Sequence, residues 1–181
     1  IFGLDDLTIC GQRLGQSIPL YCELPVEEQI RRAYHYAFST PSPSTHRGAI
    51  PRLHFERIDL QPFSLLGTTV TPIRLQHGRL PVLGFRFNNV AYCTDVSQIP
   101  ASSWAQLEGL DVLIIDALRD KPHPTHFSVD QSLDVIHRVQ PRKAYLTHIS
   151  HDLDHDTTNA RLPENVEMAW DGLKIPLEDP S

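Results

Sequence analysis

The stretch KAYLTHISHDLDHD, residues 143–156, opens like a buried strand and then gathers His148, His151 and His155 with Asp152, Asp154 and Asp156. Imidazole nitrogen and carboxylate oxygen are donors that suit zinc, manganese or iron, and a carboxylate can bridge two ions because it has two oxygens. Six of the ten histidines fall between His123 and His155. Clustering alone decides little, since a loop histidine is more often solvated than a ligand. Position says more. His77 closes VTPIRLQHG, Asp95 closes the return strand of GFRFNNVAYCTD, and His148 closes KAYLTH. Each stands at the carboxyl end of a predicted apolar strand, where the last side chain projects past the sheet into a shared crevice. The pattern reads as a metal site assembled from strand ends; the competing reading is three unrelated polar residues capping their strands.

The elements that would position these groups follow from periodicity. IPLYCE (18–23) predicts a short strand, and Pro25 sits in the first turn of a helix that would bury Val26, Ile30, Ala33 and Ala37 on one stripe. STPSPSTHRGAIP (39–51) is a Pro- and Ser-rich loop. From there to Asp95 the period is two: Ile73, Leu75 and His77 share a strand face, and Asn88-Asn89 suits a tight hairpin whose return strand aligns Ala91, Cys93 and Asp95. The last third alternates strand and helix. SSWAQLEGL predicts a short helix closed by Gly109, and DVLIIDAL a strand buried on both faces and ending at Asp116. Ser128 and Gln131 form a capping box for a helix burying Val129, Leu133, Ile136 and Val139, stopped by Pro141, and VEMAWDGLKIPL predicts a final hairpin around Asp171-Gly172. Sheets with helices packed outside, an α/β (α+β) class, follow from this order.

With 181 residues the chain is expected to form one domain over 1–181 with a single core. Its formal net charge of −6 argues against a broad basic surface for nucleic acid, though a particular phosphate-bearing substrate is compatible with it. Cys10, Cys22 and Cys93 are odd in number and form no CxxC pair, so neither a disulfide framework nor a self-contained zinc knuckle is indicated. No apolar run approaches a membrane span and no basic-then-apolar leader stands at the start, which predicts a soluble, cytoplasmic protein. The opening IFGLDDL lacks Met and reads like the interior of a longer fold.

FGLDDL, VTPIRLQHG, YCTD, VLIIDALRDKPHPTHFSVDQSL, AYLTHISHDLDH and WDGLKI, in this order, resemble the metallo-β-lactamase-fold hydrolases. The likeness is greatest to the branch containing the phosphoribosyl cyclic phosphodiesterases of phosphonate breakdown, and it covers nearly the whole chain. It implies a four-layer αββα sandwich with two metals at the edge where the strands end. By resemblance His77 is the third histidine of the first metal, Asp95 the bridging carboxylate and His148 the histidine closing the second metal. His151 resembles the histidine of a structural zinc site, and His126, two residues before the Ser128 cap, resembles the histidine that protonates the leaving group. Asp116 is placed either to accept a hydrogen bond from a metal-bound imidazole or to cap the loop that follows it. His123, Asp152, Asp154 and His155 are near enough to line the substrate entrance, and ordinary loop chemistry explains them equally well. The family's His-x-His-x-Asp-His motif and first strands would lie upstream of Ile1, so the expectation is the C-terminal three quarters of such an enzyme.

The function this implies is binuclear: two divalent ions, zinc or manganese, with an additional structural zinc, and a small cyclic or nucleotide-like phosphodiester cleaved by activated water. One rival is a thioester or lactone hydrolase of the same fold. Another is a metal-free inactive fragment or binding domain, because three ligands of seven remain. A homodimer contact is expected, if anywhere, in the loop 39–51.

Overall fold

The computed structural model describes residues 2–38 and 50–176. Most of the Pro- and Ser-rich loop 39–51, with the dimer contact assigned to it, lies outside the described residues. The chain divides into two units, Ile1–Asp59 and Leu60–Ser181.

In the first unit a 3₁₀ turn at Phe2–Asp6 leads into α1 (Leu7–Leu14), followed by β1 (Ile18–Cys22), α2 (Leu24–Ala33), α3 (His35–Phe38) and β2 (Leu53–Arg57). The strands pair in parallel, Ile18 opposite Leu53 and Cys22 opposite Arg57. The strand at 18–22 and the Pro in the first turn of α2 are as expected, but the apolar stripe is not. α2 ends at Ala33, Ala33 is exposed, Val26 is 44% exposed, and Ala37 belongs to the separate turn of α3. The buried residues of α2 are Ile30 and Glu27. Glu27 is tolerated there because Arg31 Nε, one turn on, donates to its Oε1 at 2.8 Å and Arg57 Nε, from β2, donates to its Oε2 at 2.6 Å. Arg31 in turn lies over the rings of Phe55 and Phe38, 4.6 and 5.1 Å from their centroids.

These guanidinium bonds hold the Glu27 carboxyl below its ordinary value of 4.5. A group whose folded value is depressed contributes stability that is fully present above its unfolded value and is lost as pH falls through the folded one. Wild-type urea midpoints should therefore drop on acidification from about pH 5 to about pH 3 by more than those of Glu27→Gln, which should be less stable at neutral pH. Parallel curves for the two proteins would show that this ion pair carries none of the acid sensitivity.

The second unit holds β3 (Phe63–Leu65), β4 (Thr68–His77), β5 (Leu80–Phe87), β6 (Val90–Cys93), a 3₁₀ helix at Ala101–Leu107, β7 (Val112–Asp116), α4 (Val129–Val139), β8 (Lys143–Thr147), α5 (His155–Asn159) and β9 (Val166–Met168). β3 to β9 form one seven-stranded sheet in sequence order. Pairing is antiparallel from β3 through β6 and parallel from β6 through β9. One face carries Ile73, Leu75, Cys93, Leu113, Ile115 and Leu146, all 0–1% exposed, and packs with Val129 and Ile136 of α4 in a common core. Gly84 is required in this layer, because a Cβ there would sit 2.8 Å from Leu75 Cδ1 and 3.0 Å from the Tyr92 carbonyl oxygen. The hairpin at Asn88-Asn89 forms as expected, Asn88 taking a φ of 51°. SSWAQLEGL is helical as a 3₁₀ rather than an α segment, and Gly109 follows it with φ 65°.

The expected closing hairpin does not form among the described residues. Val166–Met168 pairs in parallel with β8, and the Leu173 N–H closes a turn onto the Trp170 carbonyl without a return strand. Its apolar spacing serves a parallel edge strand equally well. The capping box is present, Ser128 Oγ accepting from Gln131 N–H and Gln131 Oε1 from Ser128 N–H. Ser128→Ala should cost about 1 kcal/mol of unfolding free energy by denaturant titration; no loss would mean that the α4 terminus is held by its backbone contacts alone. No helix among the described residues is long and apolar enough to cross a membrane.

Candidate metal centre

β4 and β5 are antiparallel, as are β5 and β6, so β4 runs with β6, β7 and β8. The carboxyl ends of these four strands therefore share one edge of the sheet. That edge carries His77 at the end of β4, Asp95 two residues past β6, Asp116 at the end of β7 and His148 just past β8. Asp95 and His148 both take a φ of 56°, a left-handed conformation that costs a residue with a Cβ about 1 kcal/mol or more. It turns the chain sharply off each strand at the residue that bears the donor atom.

The strand-end expectation is met for position, and the side chains converge. Donor atoms of His77, Asp95 and His126 all lie within 4.8 Å of one another. His148 Nε2 is 3.5 Å from Asp95 Oδ1, so the carboxylate has imidazoles from the ends of both β4 and β8 near it. His126 lies among the rings: its centroid is 4.5 Å from that of His77 and 4.7 Å from that of His148, on which it stacks at 24°. The His77 ring is oriented by a backbone carbonyl, Nδ1 donating to Thr125 O at 2.7 Å. A carbonyl can only accept, so the hydrogen is on Nδ1 and Nε2 keeps its lone pair for a metal. Gly78 permits this approach; with φ 63°, a Cβ there would meet Thr125 Cγ2 at 2.9 Å.

His126 is fixed from both sides. The Phe127 N–H donates to Val96 O at 2.8 Å and the Phe127 carbonyl accepts from Leu118 N–H at 2.9 Å. His126 Nδ1 is 2.9 Å from Asp116 Oδ2, which also accepts from Val96 N–H at 3.1 Å. Asp116 is fully buried, and its Oδ1 has no hydrogen-bond partner among the described residues. Burial pushes the Asp116 carboxyl up to about 7, against the pull of the Val96 amide and the His148 charge. Burial also lowers the value of His126, with His77 beside it acting in the same direction and Asp95 opposing. The imidazole that Asp116 holds is therefore His126.

Of the other expected residues, His151, Asp152, Asp154 and His155 make their contacts elsewhere. His151 is exposed, its nearest partner the Asp152 Oδ1 at 3.6 Å, and no group of three donors forms around it among the described residues. Asp154 caps α5 through Thr157 N–H, and His155 meets the Trp170 ring edge-on at 6.3 Å. Asp152 Oδ2 accepts from Ser150 Oγ at 3.3 Å. His123 joins the cluster, its ring 5.2 Å from that of His126. Sequence reasoning passed over Thr125, whose contact with His77 is made by its backbone carbonyl and leaves no side-chain signature. A cavity of about 630 Å³ lined by Leu65, Phe87, Val112, Lys143 and Tyr145 lies at the amino ends of β7 and β8, the opposite edge from the imidazoles. It has no cluster of ligating residues, so donor chemistry rather than volume locates the site.

A mixed sheet with flanking helices and a His/Asp cluster on its strand-end edge defines a class. The chain belongs to the β-lactamase superfamily, whose domain model matches residues 1–149, and has the α/β metallo-β-lactamase fold. Among solved structures it is similar to a diphosphatase from the PhnP family, at 36% identity and a TM-score of 0.87, the match covering 98% of this chain and 67% of that one. It also resembles the metallo-β-lactamase fold protein YhfI from Bacillus subtilis, at 18% identity and a TM-score of 0.70 over 93% of this chain and 69% of that one, a likeness of fold alone. A curated relative, an octanoyltransferase of Porphyromonas gingivalis (strain ATCC BAA-308 / W83), is 34% identical over 98% of this chain. The chain spans 35% of that relative's length.

Proposed function

We propose that the protein is a metal-dependent phosphodiesterase, cleaving a phosphoryl–oxygen bond in a small cyclic or nucleotide-like phosphodiester. The observation that carries this reading is the Asp116–His126 pair set among the strand-end donors His77, Asp95 and His148. The likeness to a PhnP-family diphosphatase supports the same phosphoryl chemistry. The donor types suit zinc or manganese: Asp95 shared, His77 in the lone-pair tautomer at Nε2 and His148 beside the carboxylate would give two protein donors to each of two ions, the remaining positions being filled by other residues or water. His77 would serve one ion, His148 the other, and Asp95 both. Bound there, such ions polarise the phosphoryl group and activate a water for in-line attack.

The protein's own contribution is at the leaving group. His126 keeps Nδ1–H on Asp116 Oδ2, which fixes the ring and directs Nε2 away from the carboxylate. When the ring is protonated, Nε2–H is the proton available to the departing alkoxide; burial and the neighbouring His77 oppose that charged form and make the proton easier to give up, while the Asp95 carboxylate favours it. After the proton leaves, the Nδ1–H contact retains the tautomer for the next turnover. His151 as ligand of a structural zinc remains part of this reading, with its other ligands to be supplied by further residues.

Thioester hydrolysis is the competing reading, because one relative is named for an acyl transfer. A parallel assay of a ribose cyclic phosphate, a nucleotide diphosphate ester and an octanoyl thioester separates them. Hydrolysis of either phosphate substrate at a kcat/KM at least tenfold above the thioester supports the proposal; preference for the thioester overturns it.

A further inference from the structure

Thr125 touches two imidazoles through the two polar groups of its backbone. Its carbonyl oxygen accepts from His77 Nδ1, which leaves a lone pair on His77 Nε2. Its N–H points to His123 Nδ1 at 3.4 Å, and its hydroxyl Oγ1 is 3.2 Å from the same nitrogen. A backbone N–H can only donate, so Nδ1 of neutral His123 must be the acceptor and the ring hydrogen must sit on Nε2. One residue thus sorts two neighbouring histidines into opposite tautomers, a lone-pair donor at His77 and an N–H donor at His123.

The loop is built to keep that arrangement. His123 lies between Pro122 and Pro124, whose rings fix φ and carry no N–H that could compete for the imidazole. Arg119 clamps the loop, donating from Nε to Lys121 O at 3.2 Å and from its terminal nitrogen to Pro122 O at 3.3 Å. The His123 ring is half-buried and 5.2 Å from His126, yet its Nε2–H has no acceptor among the described residues. A donor held in one tautomer beside the reacting groups, and open to water, can exchange that water for an acceptor that arrives with the substrate. Being neutral, it can stand beside bound cations without the repulsion a Lys or Arg would meet.

We propose that His123 is a substrate-binding residue, a neutral Nε2–H donor to a non-bridging phosphoryl oxygen, and that its tautomer is set by the Thr125 N–H. The proposal rests on the phosphoryl reading of the site. It also excludes His123 as a metal ligand through Nε2, in keeping with its absence from the group formed by His77, Asp95 and His126.

Two-bond ¹H–¹⁵N correlation spectra of the ¹⁵N-labelled, metal-free chain near neutral pH read the tautomers directly. The expected spectrum shows His123 as Nε2–H and His77 as Nδ1–H. In the metal-loaded protein, His123→Leu should lower kcat/KM for a cyclic phosphodiester about 10²-fold. His123→Gln, which places an amide N–H near the same point, should restore most of it, with metal content unchanged in both variants. His123 found as Nδ1–H, or a Leu variant with wild-type kcat/KM beside an active wild type, overturns the donor role alone. A wild type that is folded and metal-loaded but cleaves no phosphodiester removes the functional reading and the donor role with it.

Discussion

His126→Ala should lower turnover on phosphodiesters with poor leaving groups by about 10²–10⁴-fold, the usual reach of a positioned general acid. On a nitrophenyl ester, whose leaving group departs as a stable anion, the same variant should lose far less. The contrast follows from His126 standing between His77 and His148 with Nδ1 committed to a buried carboxylate and only Nε2 left for chemistry. Equal losses on both substrates would remove the acid role. Metal content gives a second criterion, because the donor atoms of His126 also lie within 4.8 Å of those of His77 and Asp95. An acid can be deleted with its metals retained, whereas loss of metal in His126→Ala would make the residue a ligand. Asp116→Asn should preserve the His126 orientation but remove the carboxylate charge, and should weaken the same leaving-group-dependent step by about 10–100-fold.

The second large effect is at Asp95. Its carboxylate is the group that the two flanking imidazoles share, 3.5 Å from His148 Nε2 and clustered with His77. Asp95→Ala should abolish tight binding of metal and reduce phosphodiester hydrolysis by about 10³-fold or more, the several kcal/mol that bound divalent ions supply to the transition state. Because Asp95 is half-exposed and sits in a left-handed turn, removing its side chain should leave the fold intact. Retention of metal and rate by a folded Asp95→Ala protein would show that the strand-end cluster is not the metal centre. Asp95→Gly tests the backbone separately: it relieves the positive φ and should match the Ala variant in activity while being no less stable.

Much of this arrangement is visible in the chain itself, for physical reasons that also mark where visibility stops. A period of two places His77 in line with Ile73 and Leu75, and Asp95 in line with Ala91 and Cys93, so the strand-end donors can be read from side-chain alternation alone. Ser128 and Gln131 are legible because capping chemistry is local. Glu27 was missed as a buried residue because a pattern of apolar side chains scores a carboxylate as solvated, and the partner that makes its burial tolerable, Arg57, comes from a strand 30 positions on. The closing hairpin was expected from a turn signal at Asp171-Gly172, yet a three-residue strand can satisfy its apolar face by pairing with β8 instead. Asp116 was placed at the right strand end, but that it holds His126 depends on a ten-residue loop closing on itself. The backbone role of Thr125 had no sequence signal at all, since any residue with an N–H offers the same backbone groups.

The most direct test is the metal dependence of phosphodiester hydrolysis, measured on the purified protein after chelation and stepwise return of zinc or manganese. Hydrolysis should fall to background on chelation and return with added metal in the wild type, and should not return in Asp95→Ala. Hydrolysis that survives complete chelation, or its absence at every metal loading, would contradict a metal-dependent phosphodiesterase built on His77, Asp95 and His148.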